Sequence, residues 1–457
     1  VLEKMRSYVM RGVEFDSSDR DFAPHCHPGT RTCFLEELQL RIRDTSLGSR
    51  IIWLRGAAGI GKSAIMQTLA ETLAEIKSPA PVIFTTLFFS RPNKQNDPKK
   101  ALTTLAYGLA VLDSQYRSYV GENFATNPGF LDKSPEKQFK QLFLDPFTGG
   151  HVRIGPQRWV VILDGLDECD GEEEQCRIVG LIRGSILCHA NSTPFIWIIA
   201  SRPEVHLKAS FAQVEEEVRG FHKLDIPMDS EESLRSVEVY LRTEFAKIRR
   251  KYSDLVPPVW PSENDFLTLT TASKGLFIFA STLTGYTTEH DPVVRLRELV
   301  PLLVRHRATV AGLRENPFAP LDLLYTTILS GIPDDVLPTT KLILAHYLLR
   351  STSEDPSVSL YQGLNLHQVG CLLGLQQHSV YAALRRLHSV IRLPSPEEAM
   401  HKNVAFLHAS FSDFLRDQGR SGPYYIDLSQ ELANIWRSYQ RFFGPPIPRE
   451  FKLIIMT

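Results

Sequence analysis

The chain has 457 residues, of which 43% are hydrophobic, 23% charged and 10% aromatic, enough for about three domains with cores of their own and too apolar for wholesale disorder. Lys and Arg total 51 against 52 Asp and Glu, a net charge of −1, which argues against a chain-wide nucleic-acid role. Six cysteines make no disulfide framework in so long a chain. No apolar run approaches the ~18 residues of a membrane helix, and the first residues make no signal peptide, so a reducing, cytoplasmic setting without membrane contact is expected. The opening Val1, in place of Met, fits a fragment of a longer protein.

Residues 1–46 are mixed and weakly periodic, a flanking segment that carries Pro28-Gly29-Thr30-Arg31. From 47 to 228 the texture is that of a P-loop NTPase domain. A short apolar strand (Arg50–Arg55), a Gly-rich turn and a helix (Ser63–Ile76) come first. Strands at Val82–Phe89, Arg158–Leu163 and Phe195–Ala200, and a fifth within Glu217–Ile226, alternate with helical stretches at 99–120, 135–144 and 173–188. Uninterrupted apolar strands alternating with helices predict a three-layer α/β fold with a parallel sheet covered on both faces.

After Pro227 the pattern turns helical, giving a helical domain over 229–330. Asp229 with Glu232 resembles a capping box opening a helix to Ile248, and Ser262 with Asp265 caps the next. Breaks are expected at Pro317, Pro320, Pro333 and Pro338. Two short helices within 366–393, the second from Ser379 to Val390, precede a strand at Val404–His408. This order resembles a winged helix and sets a domain over 331–418. Residues 419–457 read as a tail.

The chemistry begins at Gly56-Ala57-Ala58-Gly59-Ile60-Gly61-Lys62-Ser63, which matches G-x-x-x-x-G-K-[ST] between a strand and a helix. Glycines let successive N–H groups turn inward around an anion, and the helix opening at Lys62, Ser63 and Ala64 adds its dipole. Lys62 places a charge on the β- and γ-phosphates, and the Ser63 hydroxyl can ligate Mg²⁺. Asp164 ends the third strand, where it faces the phosphate crevice and would hold Mg²⁺, through water. Asp167 and Glu168 follow, placed to orient or deprotonate an attacking water. Arg202, after the fourth strand, could sense the γ-phosphate.

Gly56–Ser63, the spaced acids Asp164-Gly-Leu-Asp-Glu168, Ser201-Arg202-Pro203 and Pro28–Arg31 together resemble the NACHT family of STAND-class NTPases, of the fungal type. Phe406-Leu-His408-Ala-Ser-Phe-Ser-Asp-Phe-Leu415 is similar to their winged-helix segment, so the resemblance covers roughly 27–418. It implies a switch, closed with ADP and able to self-assemble with ATP. Carried over, Thr30 and Arg31 would lie near the base, Arg202 on the terminal phosphate, and His408 on the β-phosphate in the closed form. Gly275-Leu276-Phe277 departs from the family's Gly-x-Pro, and with it the base contact of that proline. The N-terminal effector and C-terminal sensor modules of relatives are not among these residues.

Other signals carry less weight. His25, Cys26, His27 and Cys33 lack the second cluster that would close a metal tetrahedron. Lys247–Lys251 is a solvated helix end. The second helix of the winged helix carries only Arg385 and Arg386, which favours internal packing over nucleic acid. His408, among Phe406, Leu407 and Phe411, has an alternative reading as a core histidine. The expectation is a Mg²⁺-dependent ATP/ADP switch (GTP possible) that hydrolyses slowly and self-associates with NTP. A hydrolysis-feeble scaffold with structural ADP is the alternative. Gly165, standing where AAA+ motors place Glu, speaks against a turnover motor.

Overall fold

The computed structural model describes residues 1–443 apart from 21–22, 45–47, 77–81, 128, 190–191, 289–290, 311–315 and 350–363. The end of the expected tail, 444–457, therefore lies outside the described residues. The chain divides into two compact units, the first taking Val1–Arg91 and Gln95–Met228, the second following from Asp229.

The first unit is built on five parallel strands: β1 (Ile51–Arg55), β2 (Val82–Phe88), β3 (Arg158–Asp164), β4 (Phe195–Ser201) and β5 (Phe221–Asp225). Their order is β2-β3-β4-β1-β5. Strand alternation sorts the side chains into two layers. Trp159, Val161 and Leu163 of β3 join Trp53, Phe195 and Trp197 in one core with Phe139, Phe143 and Phe147. Val160, Ile162 and Asp164 turn to the opposite face. That is the face of the phosphate-loop helix (Lys62–Glu75), because the Ser63 hydroxyl and the Lys62 ammonium both lie close enough to draw the Asp164 carboxyl down. A carboxylate thus ends an otherwise apolar buried row.

The first twenty residues are part of this unit rather than a flank. Met5 and Val13 are fully buried and pack with Met10 in the core on the Trp159 face. The Val13 carbonyl accepts from the Phe88 N–H at 3.0 Å, so the segment covers the outer edge of β2, which would otherwise offer unpaired backbone groups. It then crosses to the other face. Phe15 lies against Phe84 with ring centroids 5.4 Å apart, and its N–H donates to Thr86 Oγ1 at 3.0 Å. We call residues 1–20 the strap.

Several boundaries differ from the sequence reading. The stretch 99–120 is two helices, Pro98–Leu112 and Ser114–Thr126, because Asp113 leaves helical geometry and its side chain caps the second through the Tyr116 N–H. A helix at Val205–Glu217 occupies the start of the span given to the fifth strand, which begins only after Gly220. The cap of Glu231–Lys251 is Ser230, not Asp229. Asp229 sits at φ 56° and donates its N–H to the Lys274 carbonyl, a conformation that puts it outside the cap position.

The second unit is helical over Glu263–Ser273, Phe277–Thr288, Pro292–Val310, Ala319–Ser330 and Leu337–Leu349. Pro320 and Pro338 fall in the first turns of their helices, where no N–H is needed, so they open helices instead of breaking them. Beyond lie Leu366–Leu372 and Gln377–Leu384, the latter shorter than the expected 379–390. An antiparallel ladder of β6 (Ile391–Arg392) and β7 (Ala405–Phe406) and a helix at Ala409–Arg416 follow. No helix among the described residues is long and apolar enough to cross a membrane.

If the strap is core, Met5→Ala will cost about 2–5 kcal/mol, as for other large-to-small core changes. Urea unfolding followed by tryptophan emission checks this; a loss below about 0.5 kcal/mol, the level of a surface change, would return the strap to the status of a flank.

Candidate nucleotide site

The phosphate loop runs from the end of β1 into the helix Lys62–Glu75. Gly59 and Gly61 have φ of 73° and 104°, backbone that side-chain-bearing residues rarely adopt. Gly56 is small for another reason: a Cβ there would come 3.0 Å from Ile60 Cγ2 and 3.2 Å from the Ile226 carbonyl oxygen. Ala58 and Ile60 are buried, and Ala57 and Ala64 half-buried. Lys62 Nζ donates to the carbonyls of Gly56 at 2.8 Å and Ala57 at 2.9 Å. Burial pulls its ammonium below the ordinary value, opposed most strongly by the Asp167 carboxylate.

Asp164 is 3% exposed. Burial pushes its carboxyl up to about 6, against the Ser63 hydrogen bond and the charges of Arg20 and Lys62. Its Oδ1 is buried without a hydrogen-bond partner. An orphaned carboxylate oxygen beside a serine hydroxyl is a costly arrangement by itself and the hard-oxygen donor pair that Mg²⁺ takes together with water and phosphate. The residues present fit that ion.

Gly165 turns the chain at φ 70°, and a Cβ there would lie 3.1 Å from the Phe89 carbonyl oxygen. Glu in this place would be strained. The left-handed turn leads into a 3-10 turn, Leu166–Glu168, which displaces the next acids along the chain. Asp167 is buried, and its two oxygens meet one residue: Oδ1 accepts the Arg202 N–H at 2.9 Å and Oδ2 lies 3.1 Å from Arg202 Nε. Glu168 Oε2 accepts the Arg91 N–H at 3.1 Å. Burial first, then the Asp167 charge, pushes the Glu168 carboxyl up to about 7, with Arg202 opposing.

Thr30 and Arg31 lie in the same unit. The Thr30 hydroxyl donates to the His27 carbonyl at 2.7 Å, within a turn. Arg31 is buried at φ 56°, and its Nη2 donates to the Ile60 carbonyl of the phosphate loop at 2.9 Å. It therefore braces the loop. Ser201 of the Ser-Arg-Pro run turns away from the acids and accepts from Trp53 Nε1 at 2.9 Å. His408 belongs to the second unit. It is half-buried, and its Nδ1 accepts the Ser410 N–H at 3.0 Å, capping the helix Ala409–Arg416.

Two arginines escape the sequence reading. Arg91 holds Asp167 from behind, Nη2 to the Asp167 carbonyl at 2.6 Å. It stands just past the C-terminal end of β2, the end where ligand crevices open in such sheets, so a signal existed. Arg20 of the strap lies over the Phe88 ring, 3.8 Å from its centroid, and donates from Nη2 to Gln67 Oε1 at 3.1 Å. Nothing in its sequence neighbourhood marks it.

The family described as Nephrocystin 3, N-terminal, matches residues 29–202, less than half of the chain, beginning inside the Pro-Gly-Thr-Arg run and ending at Arg202. Comparison with curated protein sequences returns no match. Among solved structures, the ORC2 protein of Aeropyrum pernix in ADPNP–ADP complexes is similar at 14% identity, over 95% of this chain and 100% of that one, with a TM-score of 0.38. Cdc6p from Pyrobaculum aerophilum is similar at 11% identity, over 92% and 97%, with a TM-score of 0.37. ORC1 of Aeropyrum pernix in complex with DNA follows at 13% identity, over 91% and 96%, with a TM-score of 0.34. The sheet order, the phosphate loop at the end of β1 and the strand-end Asp164 define the class: the first unit has the α/β fold of a P-loop NTPase.

The raised carboxyls carry a pH dependence. Asp164 and Glu168, ordinarily near 3.8 and 4.5, release their protons in the folded chain only near 6 and 7. The folded state therefore binds more protons than the unfolded one across that window, and the stability they contribute is full below it and lost as pH rises through it. Protein kept in EDTA should melt lower at pH 7.5 than at pH 5, and Glu168→Gln should flatten that slope. Parallel slopes in both proteins would mean that Glu168 does not titrate as described.

Proposed function

We propose that the protein is a nucleotide-dependent switch of the STAND type, related to NACHT proteins, that binds ATP or ADP with Mg²⁺, hydrolyses slowly and passes from a closed to an assembly-competent state. The observation that carries this reading is the Asp167–Arg202 pair. An acid suited to orient water and an arginine suited to meet the terminal phosphate are here each other's partners. Hydrolysis then requires that pair to separate first, which suits a timer and not a motor.

The roles follow from chemistry and position. The loop N–H groups and Lys62 bind the phosphates, and Lys62 must leave the Gly56 and Ala57 carbonyls to do so. Ser63 and Asp164 would hold Mg²⁺, which would supply positive charge to neutralise the phosphates. Glu168, with its proton affinity raised toward neutrality, is suited to take a proton from water. Arg31 keeps the loop in shape through Ile60. The second unit's two short helices, β6–β7 ladder and helix Ala409–Arg416 have the element order of a winged helix. On this reading, His408 bonds the β-phosphate of ADP in the closed state. Its Nδ1 accepts from the Ser410 N–H, which leaves the neutral ring's proton on Nε2, a donor suited to phosphate. A switch of this kind needs a contact that differs between its states.

The test separates latch from cap. His408→Ala loses both, and an N-cap is worth about 1 kcal/mol. His408→Asn keeps a good cap and loses the imidazole. Both variants should release labelled ADP about ten- to a hundredfold faster in stopped flow, the equivalent of one charge-assisted bond, while only His408→Ala melts lower. A wild-type off-rate in both, with destabilisation in the alanine variant alone, would leave His408 as a cap and the switch reading without its latch.

A further inference from the structure

The strap delivers a cation to the face of the sheet that holds Asp164. Phe88 and Asp164 are register partners on adjacent parallel strands, so their side chains leave the sheet on the same side. A guanidinium 3.8 Å above the Phe88 ring centroid therefore lies next to the carboxylate. Gln67 grips it from the helix. Ser63 and Gln67 are four residues apart and share one helix face. The Gln67 amide is fixed, because its Nε2 donates to the Phe15 carbonyl and to Glu71 Oε1, both at 2.9 Å, which turns Oε1 to Arg20.

The grip leaves Arg20 Nε buried without a hydrogen-bond partner. Asp164 Oδ1 is buried and equally without one. Of the charges around Arg20, Asp164 acts on it most strongly and Glu71 next, and Glu71 is already engaged by Gln67 and by His25 at 3.1 Å. A strap held only for stability has no need of a half-satisfied guanidinium there; an apolar side chain over Phe88 would serve. A nearby phosphate is a group that would use the charge.

We propose that Arg20 is a fixed cation of the phosphate site, a charge brought in by the strap that does part of the work of Mg²⁺ and lets the site retain nucleotide when the metal is absent. The inference rests on the nucleotide-binding reading above and adds to it a residue outside the phosphate loop. Its sign is set by electrostatics. Free nucleotide carries more negative charge than its Mg²⁺ complex, so removing a nearby positive charge weakens the metal-free complex more. Arg20 and Mg²⁺, both cations beside Asp164, also repel each other.

The experiment is calorimetric titration of ADP into the full chain, in EDTA and in excess Mg²⁺, for the wild type, Arg20→Gln and Arg20→Lys. Two unit charges about 10 Å apart in an effective dielectric near 20 interact by roughly the equivalent of a tenfold change in affinity. Arg20→Gln should therefore bind ADP about tenfold more weakly in EDTA but only about two- to threefold more weakly in Mg²⁺, so that the gain from Mg²⁺ grows. Arg20→Lys, which keeps the charge, should return that gain toward the wild-type value. An equal loss in both buffers would make Arg20 a structural residue of the strap and overturn the proposal, as would no loss in EDTA. If the wild type binds no ADP in either buffer, the nucleotide reading itself fails, a result distinct from the other two.

Discussion

A carboxylate at the end of a buried apolar strand is the constraint on which the first unit turns. Val160, Ile162 and Asp164 share a face of the sheet in which the first two are packed and the third is charged. Burial alone would keep Asp164 protonated. What opposes this is local: the Ser63 hydroxyl, Lys62 from the phosphate loop and Arg20 from the strap. Two of these are neighbours at the start of the phosphate-loop helix and the third comes from the strap, and they act there because that helix lies along the same face. One oxygen is still left without a partner. The fold keeps a costly, incompletely satisfied group at the centre of its crevice, which is the mark of a site built for a ligand.

The strap answers a second need of the same sheet. β2 is the edge strand on the side of β3, and its outer edge is covered by residues that precede the phosphate loop by some forty positions. The cover also anchors the phosphate-loop helix. Phe15 and Arg20 bind Gln67, His25 binds Glu71, and the Cys26 N–H donates to Thr68 Oγ1 at 2.9 Å. One face of the helix that opens at Lys62 is thereby tied to the beginning of the chain.

Much of this architecture is legible in the amino-acid sequence. Four of the strands, the phosphate loop and Asp164 follow from apolar runs and spacing, because parallel strands buried on both faces have little choice of residue, whereas β5, at the edge of the sheet and only partly buried, forms no apolar run. The spaced acids are visible too, although the cause of the spacing is not: it lies in the φ of Gly165 and the approach of the Phe89 carbonyl, a contact between distant residues. The Asp167–Arg202 pair is out of reach for the same reason, since sequence reads each residue alone and toward the ligand. Thr30 and Arg31 stand out by resemblance, and the turn and the Ile60 carbonyl that they bond are tertiary facts. The strap is silent because an edge-covering segment bonds through its backbone and needs no periodicity. The cap expected at Asp229 falls one residue later, at Ser230, because a positive φ at a non-glycine residue leaves little trace in sequence.

On the proposed function, the orphaned Asp164 oxygen would meet a metal carried in on the nucleotide. Mn²⁺ in place of Mg²⁺ makes this directly measurable through the electron paramagnetic resonance signal of the free ion. Titrated with Mn²⁺ and ADP together, the protein should take up one Mn²⁺ per chain, bind little Mn²⁺ without ADP, and bind the pair about ten- to a hundredfold more weakly as Asp164→Asn, the loss expected for one charged ligand. Mn²⁺ uptake with ADP that is unchanged in Asp164→Asn would contradict the account.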